Sequence, residues 1–154
     1  MLLGKIMERI EQNKEKTAIV TDGKAYTYNE LLGAYKSYEK ILEDVPRGSV
    51  VAVRGEFDVN TIGLMMALMD HRCIYVPISR AVIDVAYYLE TAKVEYYLDM
   101  DDEKLAGLDE KADHPLYEKL RQMGHPGIVF FSSGTTGTPK AAVHDLMPYI
   151  HRFE

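Results

Sequence analysis

The sequence predicts an α/β fold: a layered structure built on a mostly parallel sheet, with a small N-terminal β-hairpin. Strand-like and helix-like segments alternate between residues 49 and 98, which is typical of βα units. The unbroken apolar run at 49–53 suits a strand covered on both faces. A second run at 128–131 also indicates a buried strand, and it leads directly into a loop of small polar residues. With 154 residues, of which 47 % are apolar, the chain is long enough for one domain with a real core.

The N-terminal part predicts a helix followed by a hairpin. Apolar residues recur at helical spacing within residues 2–13, which favours a short amphipathic helix. Two strands are predicted at 17–21 and 24–27, because the Asp22-Gly23 pair between them is a strong signal for a tight turn. A small antiparallel ribbon follows from this pattern.

The next helix is predicted from its capping signal. Thr27 and Glu30 form a capping box, in which each side chain binds the other residue's backbone N–H. Apolar residues then recur at spacings of four and three from Leu31 to Val45, which gives the helix one buried face. Pro46 and Gly48 end it. These residues are explained by structure alone.

Repeated strand and helix units follow. The predicted elements are a strand at 49–53, a helix from Asp58 to about Asp70, a strand at 73–78, a helix at 81–91 and a strand at 94–98. The methionine-rich helix is interpreted as core rather than as the lining of a ligand pocket. Because Pro77 has no N–H to donate, the strand that contains it is expected to end or to reach a sheet edge there.

Acidic residues are concentrated over 99–114. Seven carboxylates occur in this segment, but their spacing matches no metal-binding loop such as an EF-hand. We therefore interpret the segment as a solvated linker inside the domain and predict no metal ligands. A short helix is expected at 115–123, before the strand at 128–131.

The loop at 132–140 carries the strongest functional signal in the chain. Its glycines give the backbone freedom, its serines and threonines supply hydroxyl groups, and Lys140 supplies one cation. The segment contains no carboxylate. Such a loop after a buried strand can bind a polyanion such as the tail of ATP. A plain surface turn is the alternative, although nine such residues exceed what a turn needs. The candidate phosphate-binding residues are Ser132, Ser133, Gly134, Thr135, Thr136, Gly137, Thr138 and Lys140.

This loop differs from the Walker design. That pattern places Gly-Lys-Ser/Thr at the start of a helix, whereas here Pro139 precedes Lys140. The residues that follow, Ala141–Val143, favour a returning strand. His144 comes directly after that strand, where it could approach a ligand bound by the loop. A histidine that is simply packed or exposed is the better interpretation.

The segment Ser132-Ser-Gly-Thr-Thr-Gly-Thr-Pro-Lys140 resembles the phosphate-loop signature of the adenylate-forming superfamily, which includes acyl-CoA synthetases, peptide-synthetase adenylation domains and luciferases. Residues 26–32 and 68–79 resemble two short core motifs of that family. The second match is weak, because Asp70-His71-Arg72 stands where a lysine-alanine-glycine turn is usual and Ser79 stands where an acid is usual.

The resemblance implies a function and its partners. Family members use ATP with Mg²⁺ to convert a carboxylic acid into an acyl-adenylate, releasing pyrophosphate, and usually pass the acyl group to a thiol such as CoA or a carrier protein. Residues 132–138 would donate to the β- and γ-phosphates, and Lys140 would neutralise charge. No residue is assigned a catalytic role.

The similarity covers residues 1–154 as a single, partial N-terminal AMP-binding-type domain. The family's adenine-binding and ribose-binding motifs, hinge and mobile C-terminal domain are not matched. The resemblance therefore implies an N-terminal fragment or subunit that is inactive alone: either a piece of a longer enzyme, or one half of a split enzyme that a complementary C-terminal polypeptide completes. Two other interpretations remain open: a non-catalytic phosphate- or nucleotide-binding module, and a self-associating module that forms homo-oligomers. The sequence also does not identify which carboxylic acid is the substrate.

Charge and cysteine usage limit the remaining function classes. The net charge of −6, without a basic stripe, argues against nucleic-acid binding. The first residues contain only short apolar pieces broken by charge, so neither a signal peptide nor a membrane anchor is expected. A single cysteine, Cys73, excludes a disulfide framework and fits the reducing cytoplasm.

Overall fold

The chain forms an α/β structure with a two-stranded ribbon and a six-stranded sheet, as predicted. The computed structural model describes residues 2–133 and 137–152. The strands are β1 (Thr17–Thr21), β2 (Lys24–Thr27), β3 (Val50–Arg54), β4 (Ile74–Ile78), β5 (Tyr96–Asp99), β6 (Lys104–Gly107), β7 (Gly127–Ser133) and β8 (Pro139–Asp145). The helices are α1 (Gly4–Gln12), α2 (Tyr28–Ile41), α3 (Val59–Asp70), α4 (Val85–Thr91), α5 (Pro115–Met123) and α6 (Met147–Ile150).

The large sheet has the order β6-β5-β3-β4-β7-β8. Its four inner strands are parallel, and the two outer strands run antiparallel to their neighbours. The carboxyl ends of β3, β4, β5 and β7 therefore lie along one edge, here called the carboxyl edge. Their first residues define the opposite, amino edge.

Helices cover both faces of this sheet. Val51 and Val53 belong to the core formed with α1, α2 and α3, while Val50 and Ala52 belong to the core on the side of α4 and α5. All four residues are buried. Since both faces of β3 are covered, its apolar run needs no polar interruption, which explains the pattern seen at 49–53.

The predicted capping box is confirmed at the start of α2. The Oγ1 atom of Thr27 accepts from the backbone N of Glu30 at 3.2 Å, and the carboxylate of Glu30 accepts from the backbone N of Thr27 at 2.7 Å. Asp58 caps α3 in a similar way, because its Oδ1 accepts from the N of Thr61 at 2.8 Å. These local bonds fix where the two helices begin.

Two sequence expectations are refined by the sheet. The β4 strand pairs with β7 only at Ile74 and Tyr75, whereas it pairs with β3 along its whole length. The strand continues through Pro77 to Ile78, so it does not end there as expected, but it pairs at that point only with β3, which leaves the other side of Pro77 without a ladder. The helix expected at 81–91 is shorter, because α4 begins at Val85 after the Asp84 cap.

The expectation of a linker over 99–114 is wrong in part. Residues Lys104–Gly107 form β6, which pairs antiparallel with β5 from Asp99↔Lys104 to Tyr96↔Gly107. The strand has only four residues, so it shows no clear period-2 pattern, and the surrounding acids conceal it.

In the part of the chain that the structure describes, no helix combines the length and apolarity that crossing a membrane requires.

Candidate functional site

The loop singled out by the sequence connects β7 to β8 at the carboxyl edge. The two strands pair from Gly127↔Asp145 to Ser133↔Pro139. Of the nine residues predicted as loop, the first two and the last two therefore belong to a β-ladder. The connection itself is limited to 134–138, and the predicted returning strand is confirmed and longer than expected.

The candidate phosphate-binding residues flank this connection. Ser132 and Ser133 end β7, while Gly137, Thr138 and Lys140 follow on the other side, all with exposed side chains or backbone. Gly137 has φ +79°, a conformation that favours glycine over other residues. The remaining candidates, Gly134, Thr135 and Thr136, lie outside the described residues. The flanks thus present hydroxyls and a cation at one end of the hairpin.

One face of the hairpin carries the basic group. Lys140 is directly opposite Ser132 in the antiparallel register, so their side chains project to the same face. Phe130, two residues earlier, is 49 % exposed, which corrects the expectation of a fully buried strand. Its ring lies 5.6 Å from that of His144, which is exposed, as interpreted from the sequence. This face is open because no described helix covers it beyond Ile128.

The other face of the hairpin is held by α4. The ring of Phe131 lies 4.2 Å from the ring of Tyr88. The hydroxyl of Tyr87 donates to the carbonyl oxygen of Pro139 at 2.8 Å, next to the loop. Sequence reasoning missed this support; the Asp84 N-cap three residues before Tyr87 was the available signal that a helix begins there.

A network of charged side chains occupies the carboxyl edge beside β3 and β5. The Nη1 atom of Arg54 lies 3.0 Å from the Oδ2 atom of Asp99, and Arg80 forms an ion pair with Asp101 at 2.5 Å. A second Arg54 nitrogen donates to the carbonyl oxygen of Arg80 at 3.3 Å. Asp99, assigned to a solvated linker, is therefore a largely buried ion-pair partner, which corrects that interpretation, whereas the side chain of Asp101 remains 61 % exposed.

The environment of Asp99 shifts its acidity. Partial burial acts to raise the pKa of Asp99, but hydrogen bonds from the backbone N of Asp101, from Arg54 and from the hydroxyl of Tyr97 outweigh it and hold the pKa below its usual value. The carboxylate is thus favoured in its charged form in the folded chain.

The substitution Asp99→Asn is expected to lower the free energy of unfolding by about 1.5 kcal/mol at pH 7, since hydrogen bonds to a charged group are lost. Because the folded-state pKa is below the unfolded-state value, this contribution is present above the ordinary carboxyl pKa and disappears as the pH falls through the folded-state pKa. Urea unfolding at pH 7 and at pH 3 measures it. The more exposed Asp101→Asn is the control, with a smaller effect; an equal loss for Asp99→Asn at both pH values would contradict the account.

Comparison with known proteins identifies the family. A profile of the family described as AMP-binding enzyme matches residues 6–152, nearly the whole chain. The protein belongs to this family, the adenylate-forming enzymes, and corresponds to an N-terminal portion of its members. No curated protein matches the chain.

Solved structures show the same fold at low sequence identity. The N-terminal subdomain of NpsA from Klebsiella oxytoca, in complex with 3-hydroxyanthranilyl-AMSN, is 18 % identical with a TM-score of 0.64; the match covers 92 % of this chain and 39 % of that one. VinN in complex with L-aspartate is 14 % identical with a TM-score of 0.68, over 94 % and 48 % of the two chains. An artificially fused adenylation–PCP di-domain, NpsA-ThdA from Klebsiella oxytoca, is 22 % identical with a TM-score of 0.66, over 92 % and 32 %. The protein thus spans less than half the length of each of these chains.

Proposed function

We propose that this protein is the N-terminal part of an ATP-dependent acid ligase, which activates a carboxylate as an acyl-adenylate for transfer to a thiol such as CoA or a carrier protein. The observation that carries the proposal is the carboxylate-free hairpin connection at the carboxyl edge of a family member. Ligands of open α/β sheets bind outside the carboxyl ends of the strands.

The hairpin connection is proposed to bind the β- and γ-phosphates of ATP. Hydroxyls of Ser132, Ser133 and Thr138 are exposed beside it, and Lys140 lies on the same face as Ser132. The donor set fits a polyanion, because neither strand carries an acid before Asp145. Charge-assisted hydrogen bonds of this type contribute roughly 1.5–3 kcal/mol each. ATP, accompanied by Mg²⁺, supplies the phosphorus centre at which the acid is activated.

An apolar groove supports the idea that further polypeptide, either continuous with this chain or separate from it, completes the enzyme. It has a volume of about 770 Å³ and lies between α1, α2, α3 and α6. Its apolar lining consists of Leu3, Ile6, Ile10, Tyr28, Leu31, Met66, Met69, Leu146, Tyr149 and Ile150. The matched solved chains are more than twice as long as the region they share with this protein. We propose that the groove receives a polypeptide corresponding to that remaining length.

The proposed function is tested by acid-dependent ATP–pyrophosphate exchange. The 154-residue chain alone is expected to give no exchange above background. Addition of a polypeptide that corresponds to the rest of an adenylation enzyme, encoded with this protein, is expected to restore it. Robust exchange by the isolated chain would contradict the proposed division of the active site, and failure of every complementary polypeptide to restore it would contradict the ligase function.

A non-catalytic, self-associating module is the second candidate, and the same groove favours it. Most of the apolar lining of this groove is already buried, but Tyr149 is 52 % exposed and Ile6 and Met69 are partly exposed at the opening. Contact between these residues in two copies would bury apolar surface, so the isolated chain is expected to form dimers or larger species. Ile6→Glu places a charge on the groove wall and is expected to shift the mass measured by light scattering toward the monomer. Lys5→Glu, an exposed change on the same helix, serves as the control. A wild-type monomer at high concentration would exclude this candidate.

The reducing cytoplasm is the proposed compartment. Cys73, the chain's one cysteine, is a buried free thiol, and burial raises its pKa to about 12. A buried thiol of this kind is chemically inert. The protein therefore needs no oxidising compartment to form a disulfide, and this cysteine needs no protection from oxidation.

A further inference from the structure

A small basic recess lies at the amino edge, at the opposite end of the sheet from the hairpin connection. Its volume is about 240 Å³. It is lined by Arg47, Gly48, Arg72, Arg121, Gly124 and His125. Three arginines and a histidine around one recess are unusual in a chain whose net charge is −6.

The topology brings these residues together. The pair Arg47–Gly48 precedes β3, Arg72 precedes β4, and Gly124–His125 precede β7. Since β3, β4 and β7 are parallel, the segments that enter them meet at the same edge. Arg121 joins them from the last turn of α5. Residues far apart in sequence thus form one wall of basic side chains.

Two glycines make room for the arginine side chains. A Cβ at Gly48 would lie 2.8 Å from the Cγ of Arg121, and one at Gly124 would lie 2.5 Å from the Nη1 of Arg72. Both glycines also have positive φ, of +81° and +65°. The recess is therefore formed by close packing of two arginine side chains against glycine backbone.

Arg121 and His125 are compensated by acids. The Nη2 atom of Arg121 lies 3.2 Å from a carboxylate oxygen of Glu95, and its Nη1 atom lies 2.6 Å from Glu118. The Nδ1 atom of His125 lies 2.8 Å from the Oδ2 atom of Asp145. These two basic side chains are therefore held in place as parts of the wall.

Arg72 and Arg47 differ from them. The Nη1 atom of Arg72 donates to the carbonyl oxygen of Gly124 at 3.0 Å, while its buried Nε has no hydrogen-bond partner among the described residues. Within residues 2–133 and 137–152, neither Arg72 nor Arg47 forms an ion pair with an acid. Arg47 is exposed, so water solvates its charge, whereas Arg72 is half-buried and keeps an unpartnered Nε. An anion in the recess would compensate the charge of Arg72 and lies within reach of Arg47, which also lines the recess.

The backbone of Arg72 decides which substitution can test its role. Its φ is +62°, in the left-handed region that often ends a helix, and its N–H donates to the carbonyl oxygen of Met69 at the end of α3. Lys93 ends α4 with a similar φ of +51°. Glycine adopts this conformation readily, so Arg72→Gly removes the guanidinium group without straining the backbone.

We propose that this recess binds a tetrahedral dianion, either free inorganic phosphate or the phosphate group of a monoester. The guanidinium groups of Arg72 and Arg47 supply the charge, and planar guanidinium forks suit phosphate oxygens. The site is independent of the proposed ligase function, because it lies at the opposite edge of the sheet.

The test is a titration of ¹⁵N-labelled protein with inorganic phosphate at constant ionic strength. Saturable shifts are expected at the amides of Gly48, Arg72, Gly124 and His125. Arg72→Gly, which suits the local φ, is expected to weaken this binding about tenfold or more through loss of charge-assisted hydrogen bonds. No saturable shift, shifts confined to 137–140, or wild-type affinity in Arg72→Gly would overturn the proposal.

Matched variants separate this site from general charge effects. Arg47→Ala is expected to weaken phosphate binding, whereas Lys119→Ala removes the same charge from an exposed position on α5 and should leave it unchanged. Phenyl phosphate, which is a monoester, distinguishes the two proposed ligands. If its affinity equals that of inorganic phosphate, the site accepts a monoester; if its affinity is much weaker, the site is specific for the free anion. Equal weakening by Lys119→Ala would contradict a specific site.

Discussion

Lys140→Ala is expected to weaken the binding of pyrophosphate to the isolated chain by about tenfold or more, which corresponds to the loss of one charge-assisted contact. Lys140 is the one basic residue between Gly127 and His144, and it projects to the same face as Ser132 beside the proposed phosphate site. Isothermal titration calorimetry at fixed ionic strength provides the dissociation constants of the wild type and the variant.

The control for this substitution is Lys104→Ala. Lys104 is also an exposed lysine in an edge strand of the large sheet, but it lies in β6 at the other end of the strand order. Its removal changes the net charge equally and should leave pyrophosphate affinity within about twofold, given the screening of distant charges. Identical affinity of wild type and Lys140→Ala would remove Lys140 from the site.

Gly63→Val is expected to lower the free energy of unfolding by about 3 kcal/mol, as overpacking of a tight contact does. Gly63 lies where α3 crosses α2; a Cβ there would be 2.6 Å from the Cβ of Ala34 and 2.9 Å from the backbone N of Tyr35. One of these neighbours is backbone, so the helices must separate to accept the side chain. Urea unfolding followed by circular dichroism measures the change.

A second helical glycine provides the matched control. Gly33 lies in α2 and is exposed, and a Cβ placed on it would meet no other heavy atom of the described residues within 4 Å. Gly33→Ala is therefore expected to raise the free energy of unfolding by about 0.5–1 kcal/mol through helix propensity alone. If Gly63→Val were as stable as the wild type, the close α2–α3 contact would be incorrect.

Local patterns predicted much of the fold. The capping box at Thr27 and Glu30, the Asp22-Gly23 turn and the apolar run of β3 each specify a structure within a few residues, and each is confirmed. The strand that carries the candidate loop was predicted for the same reason, and the family resemblance is confirmed by the profile match.

Long-range contacts could not be predicted in this way. Arg54 pairs with Asp99 across 45 residues, and Tyr87 reaches the carbonyl of Pro139 across 52. Nothing in a single sequence marks such partners, so acids that pair with arginines were interpreted as solvated. The four-residue strand β6 was missed because its pairing with β5, rather than its own pattern, defines it.

The candidate site shows the same limit. Its composition identified the connection between β7 and β8, but the pairing of Ser133 with Pro139 shortens the loop relative to the nine residues expected. The support from α4 and the open face around Phe130 depend on the packing of the whole sheet. The amino-edge recess was likewise invisible, because its residues enter three different strands.

The most direct test of the central claim, that the β7–β8 connection holds the phosphates of ATP, is a titration of ¹⁵N-labelled chain with MgATP. Weak, saturable binding is expected, with the largest amide shifts at Ser132, Ser133, Gly137, Thr138 and Lys140. The absence of saturable shifts at these residues, or shifts confined to the amino edge, would contradict the claim.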